Sequence, residues 1–208
     1  MDQLWQLLGL AGVLLLGFIS PGPNFIAVTS ITIGGSRGAG LLAGLAMGLA
    51  SGTWTLMAVA GMRAVLKGAP WVLMGLRYGG AAYLIWLGVK LMLGARLPLP
   101  APMPAPMRNT THGFHAFRRA YLVSMTNPKA LAFYASVLTV IMPPHPPLWF
   151  SLALVGIAGL VSAGWYCTVA LGFSHPRVLA GFARAKFWIE GAMGLALMTI
   201  GARLMLGA

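Results

Sequence analysis

Long apolar segments limit what this chain can fold into more than any single motif does. Six of them reach or exceed the roughly 20 residues that a helix needs to cross the roughly 30 Å hydrocarbon core of a bilayer. They occupy residues 4–33, 41–62, 71–94, 117–142, 149–172 and 187–206. We therefore predict an all-α membrane protein with six transmembrane helices. The first segment lacks the basic start of a signal peptide, and a proline follows its candidate cleavage residue Ser20, so we expect it to be retained as a span.

Composition agrees with a membrane protein and excludes several other classes. Of the 208 residues, 59% are hydrophobic and 8% are charged, with a mean hydropathy of +0.84, whereas a soluble domain carries about 25% charged residues. The net charge of +12 is spread between the apolar segments and forms no compact basic patch, so no nucleic-acid partner is expected. The single Cys167 excludes a disulfide framework, a paired-thiol redox carrier and a cysteine-based metal cluster.

Basic residues between the segments predict the orientation, because cytoplasmic loops carry an excess of Lys and Arg. One side of the six-span arrangement collects nine of these residues and the other side four. The nine are Arg37, Lys90, Arg96, Arg108, Arg118, Arg119, Arg177, Arg184 and Lys186, and the four are Arg63, Lys67, Arg77 and Arg203. Both termini are therefore expected to be extracytoplasmic. Residues 96–116 contain a proline-rich tract typical of polyproline II and are expected to form a cytoplasmic linker.

The two halves of the chain resemble each other. "GVKLMLGA" at 88–95 ends the third span, and "GARLMLGA" at 201–208 ends the sixth. "GTWTLMAVAG" in the second span aligns loosely with "GWYCTVALG" in the fifth, and "SPGPN" at 20–24 aligns with "TNPK" at 126–129. Because each copy has an odd number of spans, the second copy enters the membrane from the opposite face. We predict one transmembrane domain, 1–208, in which the linker joins two inverted three-helix repeats, about 1–95 and 117–208.

Prolines interrupt the first and fourth spans at these matched positions. Ser20-Pro21 and Asn127-Pro128 each resemble a capping residue followed by proline at the first position of a new helix. Each break would place the positive end of a half-helix inside the membrane, and two such ends at a cavity can bind a carboxylate. The predicted substrate-binding residues are Ser20, Pro21, Gly22, Pro23, Asn24, Asn127, Pro128 and Lys129. The alternative is a simple proline kink in each of two packed helices.

Lys129 is a charged residue within a span, where its insertion costs about 2.5–3.5 kcal/mol, so a functional role is the default expectation. It could bind a substrate carboxylate, or it could neutralise carbonyl groups that the break leaves free. Asn24 and Asn127 could offer amide groups to a zwitterion, or they could only cap the helices.

Two motifs resemble a known family. "SPGPNFIAVTSITIGGSRGAGLLAGLAMGLASG" is similar to the N-terminal signature of the LysE/RhtB family of amino-acid exporters, and "YLVSMTNPKALAFYASVL" is similar to its second motif. The end of the third span, "YLIWLGVKLMLGA", also fits, so the resemblance covers the whole chain. It implies six spans, a homodimer, the bacterial inner membrane, and export of amino acids or related metabolites driven by the proton-motive force. Pro21 to Asn24 and Asn127 to Lys129 match the family's motif positions; some members carry aspartate in place of Asn24, which argues against a proton-carrying role at this position here.

Glycines at every fourth position of the second span, Gly40, Gly44, Gly48 and Gly52, form a face for close helix approach. This face could pack within the subunit or at a dimer interface. Glu190 is the one acidic residue in any predicted span and is therefore the candidate for carrying a coupled proton. The alternative for Glu190 is an ordinary salt bridge with Lys186 or Lys90.

Other function classes find less support in the sequence. The spans contain no Ser/His pair, no two aspartates and no HExxH motif, so we do not expect an enzyme. One Cys and one buried acid make a poor cation site, so neither a metal nor another cofactor is expected. An exporter of another small metabolite or cation on the same fold, and a scaffold or assembly protein, stay open. Because almost nothing acidic is available for a cationic side chain, we predict a neutral homoserine-, threonine- or leucine-like substrate ahead of lysine or arginine.

Overall fold

The chain is all helical where its structure is described. The computed structural model describes residues 2–68, 70–98, 113–141, 143, 146–173 and 175–206, and these ranges hold eight α-helices and no strand. The helices are α1 Asp2–Ile19, α2 Pro23–Gly34, α3 Arg37–Gly68, α4 Pro70–Gly94, α5 Gly113–Met125, α6 Pro128–Ile141, α7 Leu148–Phe173 and α8 Pro176–Leu206. The predicted all-α class is confirmed. Most of the predicted linker, residues 99–112, lies outside the described residues.

Within the described residues, two helical segments are long and apolar enough to cross a membrane by themselves: Arg37–Gly61 within α3 and Leu148–Phe173, which is α7. The bent pair Leu4–Ile19 and Pro23–Gly34, at 61° to each other, gives a third span if it is counted as one. A shorter apolar helix covers Tyr78–Gly94. By length and composition, the described residues therefore contain two or three membrane spans, and the count of six stays a prediction.

The outer faces of α3 and α7 carry large apolar side chains. Leu45, Leu49 and Leu56 are exposed on α3, and Leu152 and Leu160 are exposed on α7. Such a surface is unfavourable in water, but lipid tails cover it in a bilayer. The exposed leucines therefore support a membrane location.

The break between α1 and α2 results from two closely spaced prolines. Proline disfavours helical backbone at the residue before it, so Ser20 and Gly22 both leave the helix. Gly22 is extended, with φ −136° and ψ −170°. Consequently α2 begins at Pro23, with Gly22 as its N-cap and no side-chain capping hydrogen bond. The prediction that Ser20 caps this half-helix and that Pro21 opens it is wrong.

The break between α5 and α6 forms as the sequence predicts. Pro128 is the first residue of α6, where its missing N–H does not matter. Asn127 is the N-cap, because its side-chain Oδ1 accepts a hydrogen bond from the Lys129 N–H at 3.0 Å. The Asn127 carbonyl accepts the first helical bond from the Leu131 N–H at 3.1 Å.

The glycine ladder of α3 packs within the chain. Helix α3 makes its most extensive contact with α7. A Cβ on Gly44 or on Gly48 would lie 2.8 Å from backbone atoms of α7, and one on Gly40 would overlap Thr32 of α2. A Cβ on Gly52 would make only ordinary contact, at 3.8 Å. Three of the four glycines are therefore needed for close approach inside this subunit.

Helices α4 and α8 also cross at glycines. A Cβ on Gly194 would lie 2.6 Å from the carbonyl oxygen of Gly88, and a Cβ on Gly201 would lie 2.8 Å from that of Ala81. Helix α8 begins at Pro176, well before the predicted apolar run at 187. Its first turns hold Arg177, Arg184 and Lys186, which lower the hydropathy without opposing helix formation.

Candidate functional site at the two helix breaks

The two breaks lie side by side in the fold. The Asn127 side-chain amide donates a hydrogen bond to Asn24 Oδ1 at 3.0 Å, and the Asn24 amide donates to Ser124 Oγ at 3.1 Å. Asn24 belongs to the first turn of α2, and Asn127 caps α6. These bonds hold the N-terminal ends of two half-helices together. The structure therefore brings the two sets of predicted binding residues into one place.

Lys129 joins the two breaks from the α6 side. Its ammonium Nζ donates a hydrogen bond to Ser20 Oγ at 2.8 Å, although the two residues are far apart in sequence. A Cβ on Gly22 would lie 3.4 Å from this nitrogen, so a larger side chain at that position would crowd the ammonium. The Lys129 carbonyl accepts a hydrogen bond from the Tyr83 hydroxyl at 3.3 Å. Of the three N–H donors on Nζ, the described contacts use one, and its acceptor is a neutral hydroxyl.

A large cavity lies on one side of Lys129. Its volume is about 640 Å³, and it extends from the breaks along α4 to the C-terminal end of that helix. Much of its lining is apolar, from Tyr83, Trp86, Leu87, Leu91 and Ala132. Its charged lining consists of Lys90, Lys129, Lys186 and Glu190. With three ammonium groups against one carboxylate, the cavity favours an anionic group.

A second, much smaller chamber lies on the other side of Lys129. It measures about 40 Å³, which is room for a few water molecules at roughly 10–15 Å³ each. Lys129, Ser20, Gly22 and Pro23 line both spaces. The other polar residues that line the chamber are Asn24, Ser51, Ser124, Asn127, Tyr134, Ser162 and Tyr166. Among the described lining residues, Lys129 is the only charged one.

Hydrogen bonds order the lining of the chamber. Ser51 and Tyr134 share a short hydrogen bond between their hydroxyl groups, and Ser51 Oγ also donates to the Ala158 carbonyl at 2.9 Å. Ser162 Oγ donates to the Met47 carbonyl at 3.1 Å. Sequence reasoning missed these chamber residues. The available signal was the position of Ser51 and Ser162 in largely apolar segments, next to the aligned "GTW" and "GWY" residues.

Glu190 forms the ion pair that the sequence left open. Glu190 Oε2 accepts a hydrogen bond from Lys186 Nζ at 2.7 Å, and both side chains are buried. The same ammonium donates to the carbonyls of Gly94 at 2.6 Å and Leu97 at 2.9 Å, at the C-terminal end of α4. All three N–H donors of Lys186 are thus used. Lys90, the other possible partner, instead lies over the Trp86 ring, 4.9 Å from its centroid.

Comparison with known proteins finds similarity along nearly the whole chain. The sequence profile of the LysE type translocator family matches residues 15–208. The threonine efflux protein of Escherichia coli is 26% identical over 207 residues, which is 98% of this chain and 99% of that protein. An uncharacterized membrane protein of Pseudomonas aeruginosa is 35% identical over 191 residues, 89% of this chain and 84% of that protein. The leucine efflux protein of Salmonella choleraesuis is 32% identical over 116 residues, 56% of this chain and 53% of that protein. No solved structure matches.

Proposed function

Since the chain belongs to the LysE type translocator family, whose members are transporters and not enzymes, we propose that it exports amino acids across the bacterial inner membrane as a secondary transporter. Several relatives are named threonine or leucine efflux proteins. We attribute the driving force to the proton-motive force, as the resemblance to the family implies.

The observation that carries this proposal is the environment of Lys129. Its ammonium lies at two helix N-terminal ends, beside a cavity of about 640 Å³, and within the described contacts it bonds to a hydroxyl group and to no carboxylate. Helix α2 has no side-chain cap, so its first N–H groups add positive partial charge at the same point. A substrate carboxylate would supply the missing anionic partner. Ser20, Pro21, Gly22, Pro23, Asn24, Asn127 and Pro128 would shape this site around Lys129.

We further propose that the fold is built from two inverted repeats of three spans each. The described helices occur twice in the order of a broken helix followed by two long helices. The repeated motif matches Gly88 with Gly201, and the same spacing matches Ala81 with Gly194. The contact between Gly88 and Gly194 in one half of the repeat therefore corresponds to the contact between Gly201 and Ala81 in the other. This correspondence supports the pseudo-symmetry. In this topology the large cavity extends from the two breaks toward the cytoplasmic end of α4.

Cysteine labelling tests this topology. Residues Ala105 and His145 lie in predicted loops on opposite faces, outside the described residues. Single cysteines at these positions, in a Cys167→Ala background, should react with a membrane-impermeant reagent from opposite sides, Ala105→Cys from the cytoplasm. Labelling of both from the same side would refute the six-span arrangement with extracytoplasmic termini.

Proton coupling through Glu190 also stays a prediction. Glu190 would have to separate from Lys186, to which it is bonded at 2.7 Å, before it could exchange a proton. A purely structural ion pair is the alternative. Homodimer formation is a further prediction from the resemblance, and the exposed apolar faces of α3 and α7 would lie against lipid or a second copy.

Transport by the purified protein tests the proposed function. Liposomes that contain the protein and are loaded with labelled leucine, threonine or lysine should release the two neutral amino acids faster than protein-free liposomes. Because the described cavity lining offers Glu190 as its one acid, and that acid is paired, lysine should be released more slowly. Preferential release of lysine would overturn the neutral substrate class. No release of any amino acid would favour a scaffold over a transporter.

A further inference from the structure

Three hydroxyl groups that line the small chamber, those of Ser51, Tyr134 and Ser162, have fixed hydrogen positions. A serine or tyrosine hydroxyl carries one hydrogen and two lone pairs. Ser51 Oγ uses its hydrogen on the Ala158 carbonyl, so in the Ser51–Tyr134 bond the tyrosine must donate and the serine must accept. Ser162 Oγ uses its hydrogen on the Met47 carbonyl. These three hydroxyl groups have no hydrogen left to donate into the chamber, and only lone pairs remain.

An ammonium group is complementary to these three hydroxyl groups. It has three N–H donors and no acceptor, so it can donate hydrogen bonds to the free lone pairs of these oxygens. A carboxylate, which only accepts, would be repelled by the same lone pairs. The chamber, at about 40 Å³, has the size of a small polar group and not of a side chain such as leucine. Water also fits there, and a bound ammonium group would replace part of that water.

The charge of Lys129 at the edge of the chamber decides which ammonium can enter. An ammonium ion that carries no carboxylate would be repelled by the Lys129 ammonium. An amino-acid zwitterion places its carboxylate between the two positive groups, so its α-ammonium can lie in the chamber while its carboxylate contacts Lys129 Nζ. The same arrangement leaves the side chain of the amino acid in the large cavity, because that is where the remaining space is.

From this geometry we infer that Ser51, Tyr134 and Ser162 bind the α-ammonium group of the substrate, and that the apolar lining of the large cavity selects amino acids with bulky apolar or aromatic side chains. This inference rests on the proposed function, which it narrows to one substrate class. Tyr83, Trp86 and Leu87 on α4 would contact the side chain. The two parts of the inference are linked, since the chamber hydroxyl groups would bind the ammonium end of the amino acid and the α4 side chains would contact its side chain.

A matched pair of ligands tests the ammonium site. Leucine and 2-hydroxy-4-methylpentanoate have the same side chain and carboxylate, and the second has a hydroxyl in place of the ammonium group. The wild-type protein should export leucine at least tenfold more efficiently than the hydroxy acid. Ser162→Ala and Tyr134→Phe should each reduce this preference several-fold, because a hydrogen bond to a charged group is lost. Ser151→Ala is the control for Ser162→Ala. Ser151 is a buried serine of α7, as Ser162 is, and its hydroxyl also donates to a backbone carbonyl, but it does not line the chamber.

The outcomes separate the inference from the proposed function. Export of leucine with equal export of the hydroxy acid would overturn the ammonium site and leave the transporter intact. An unchanged preference for leucine over the hydroxy acid in folded Ser162→Ala and Tyr134→Phe would also overturn the ammonium site. Two variants are used so that the test survives if one of them fails to fold. Export of threonine well ahead of leucine and phenylalanine would overturn the side-chain class. No export of any amino acid would defeat the proposed function and the inference together.

Discussion

Replacement of Lys129 by methionine separates a binding role from a structural one. Methionine keeps the length of the side chain and fills the same space, but it removes the ammonium that bonds to Ser20 at 2.8 Å. It also removes a charge whose insertion into the membrane costs about 2.5–3.5 kcal/mol. If Lys129 binds a substrate carboxylate, the folded yield should hold or rise while export falls.

The size of the effect follows from the lost interaction. A hydrogen bond to a charged group contributes about 1.5–3 kcal/mol, which is roughly ten- to a hundredfold in apparent affinity. Lys129→Arg should recover part of the loss, because it restores the charge but places a planar guanidinium in space shaped for an ammonium.

Lys90→Met is the matched control. Lys90 lines the same cavity, but its ammonium lies over Trp86 and its side chain is exposed. Because its ammonium lies over the Trp86 ring and makes no bond at the two breaks, its removal should lower export less than removal of the Lys129 ammonium. An equal loss of export in the two variants would indicate a general effect of cavity charge and not a site at Lys129.

The assay measures folded protein and efflux on the same preparation. Folded protein is quantified by monodisperse elution in detergent, and efflux of labelled leucine is measured after reconstitution. A structural role predicts a lower yield of Lys129→Met with normal efflux for each folded molecule. That result would refute the binding role of Lys129.

Three further substitutions test neighbouring parts of the account. Lys186→Met should lower the free energy of unfolding of the purified protein by about 3–5 kcal/mol, because Glu190 is left buried without its partner. The double variant with Glu190→Gln should recover much of this loss, and no recovery would contradict the pairing. Gly48→Ala should destabilise the protein by about 1–3 kcal/mol through contact with α7, while Gly52→Ala should not, and equal melting temperatures of the two would argue against the ladder geometry. Asn127→Asp should keep the helix cap yet lower leucine export, because it removes the amide that donates to Asn24 Oδ1 and adds a negative charge beside the carboxylate site; undiminished export would count against that site.

The sequence predicted the second helix break better than the first. Asn127 is followed by a single proline, so the capping residue and the first helical position are unambiguous, and both predictions are confirmed. At the first break, Pro21 and Pro23 each remove the preceding residue from the helix. Because the later proline sets the start of α2, the helix begins two residues beyond the predicted position.

The small chamber could not be predicted from single residues. A serine in an apolar helix commonly bonds to a carbonyl of its own helix, as Thr55 does with the Ser51 carbonyl. Ser51 and Ser162 instead donate to carbonyls of the facing helix. That choice depends on how closely α3 and α7 approach, which is a property of the packed pair and not of either sequence segment.

The role of Lys186 likewise depends on tertiary structure. The sequence places it among the basic residues that orient the protein and offers it as one possible salt-bridge partner of Glu190, but it does not predict the bonds to backbone carbonyls. In the fold its ammonium is buried between Glu190 and two carbonyls at the end of α4. Those carbonyl positions are set by where α4 ends, and the sequence of α8 contains no information on that point.

The central claim is that Lys129 binds the carboxylate of an exported amino acid, and a comparison of leucine with leucinamide tests it most directly. Leucinamide keeps the side chain and the amino group and lacks the carboxylate. Competition of each ligand against labelled leucine should be measured for the wild-type protein and for Lys129→Met. We expect the wild-type protein to bind leucine roughly ten- to a hundredfold more tightly than leucinamide, and the variant to lose most of this preference. An equally large preference for leucine in the folded Lys129→Met variant would contradict the claim.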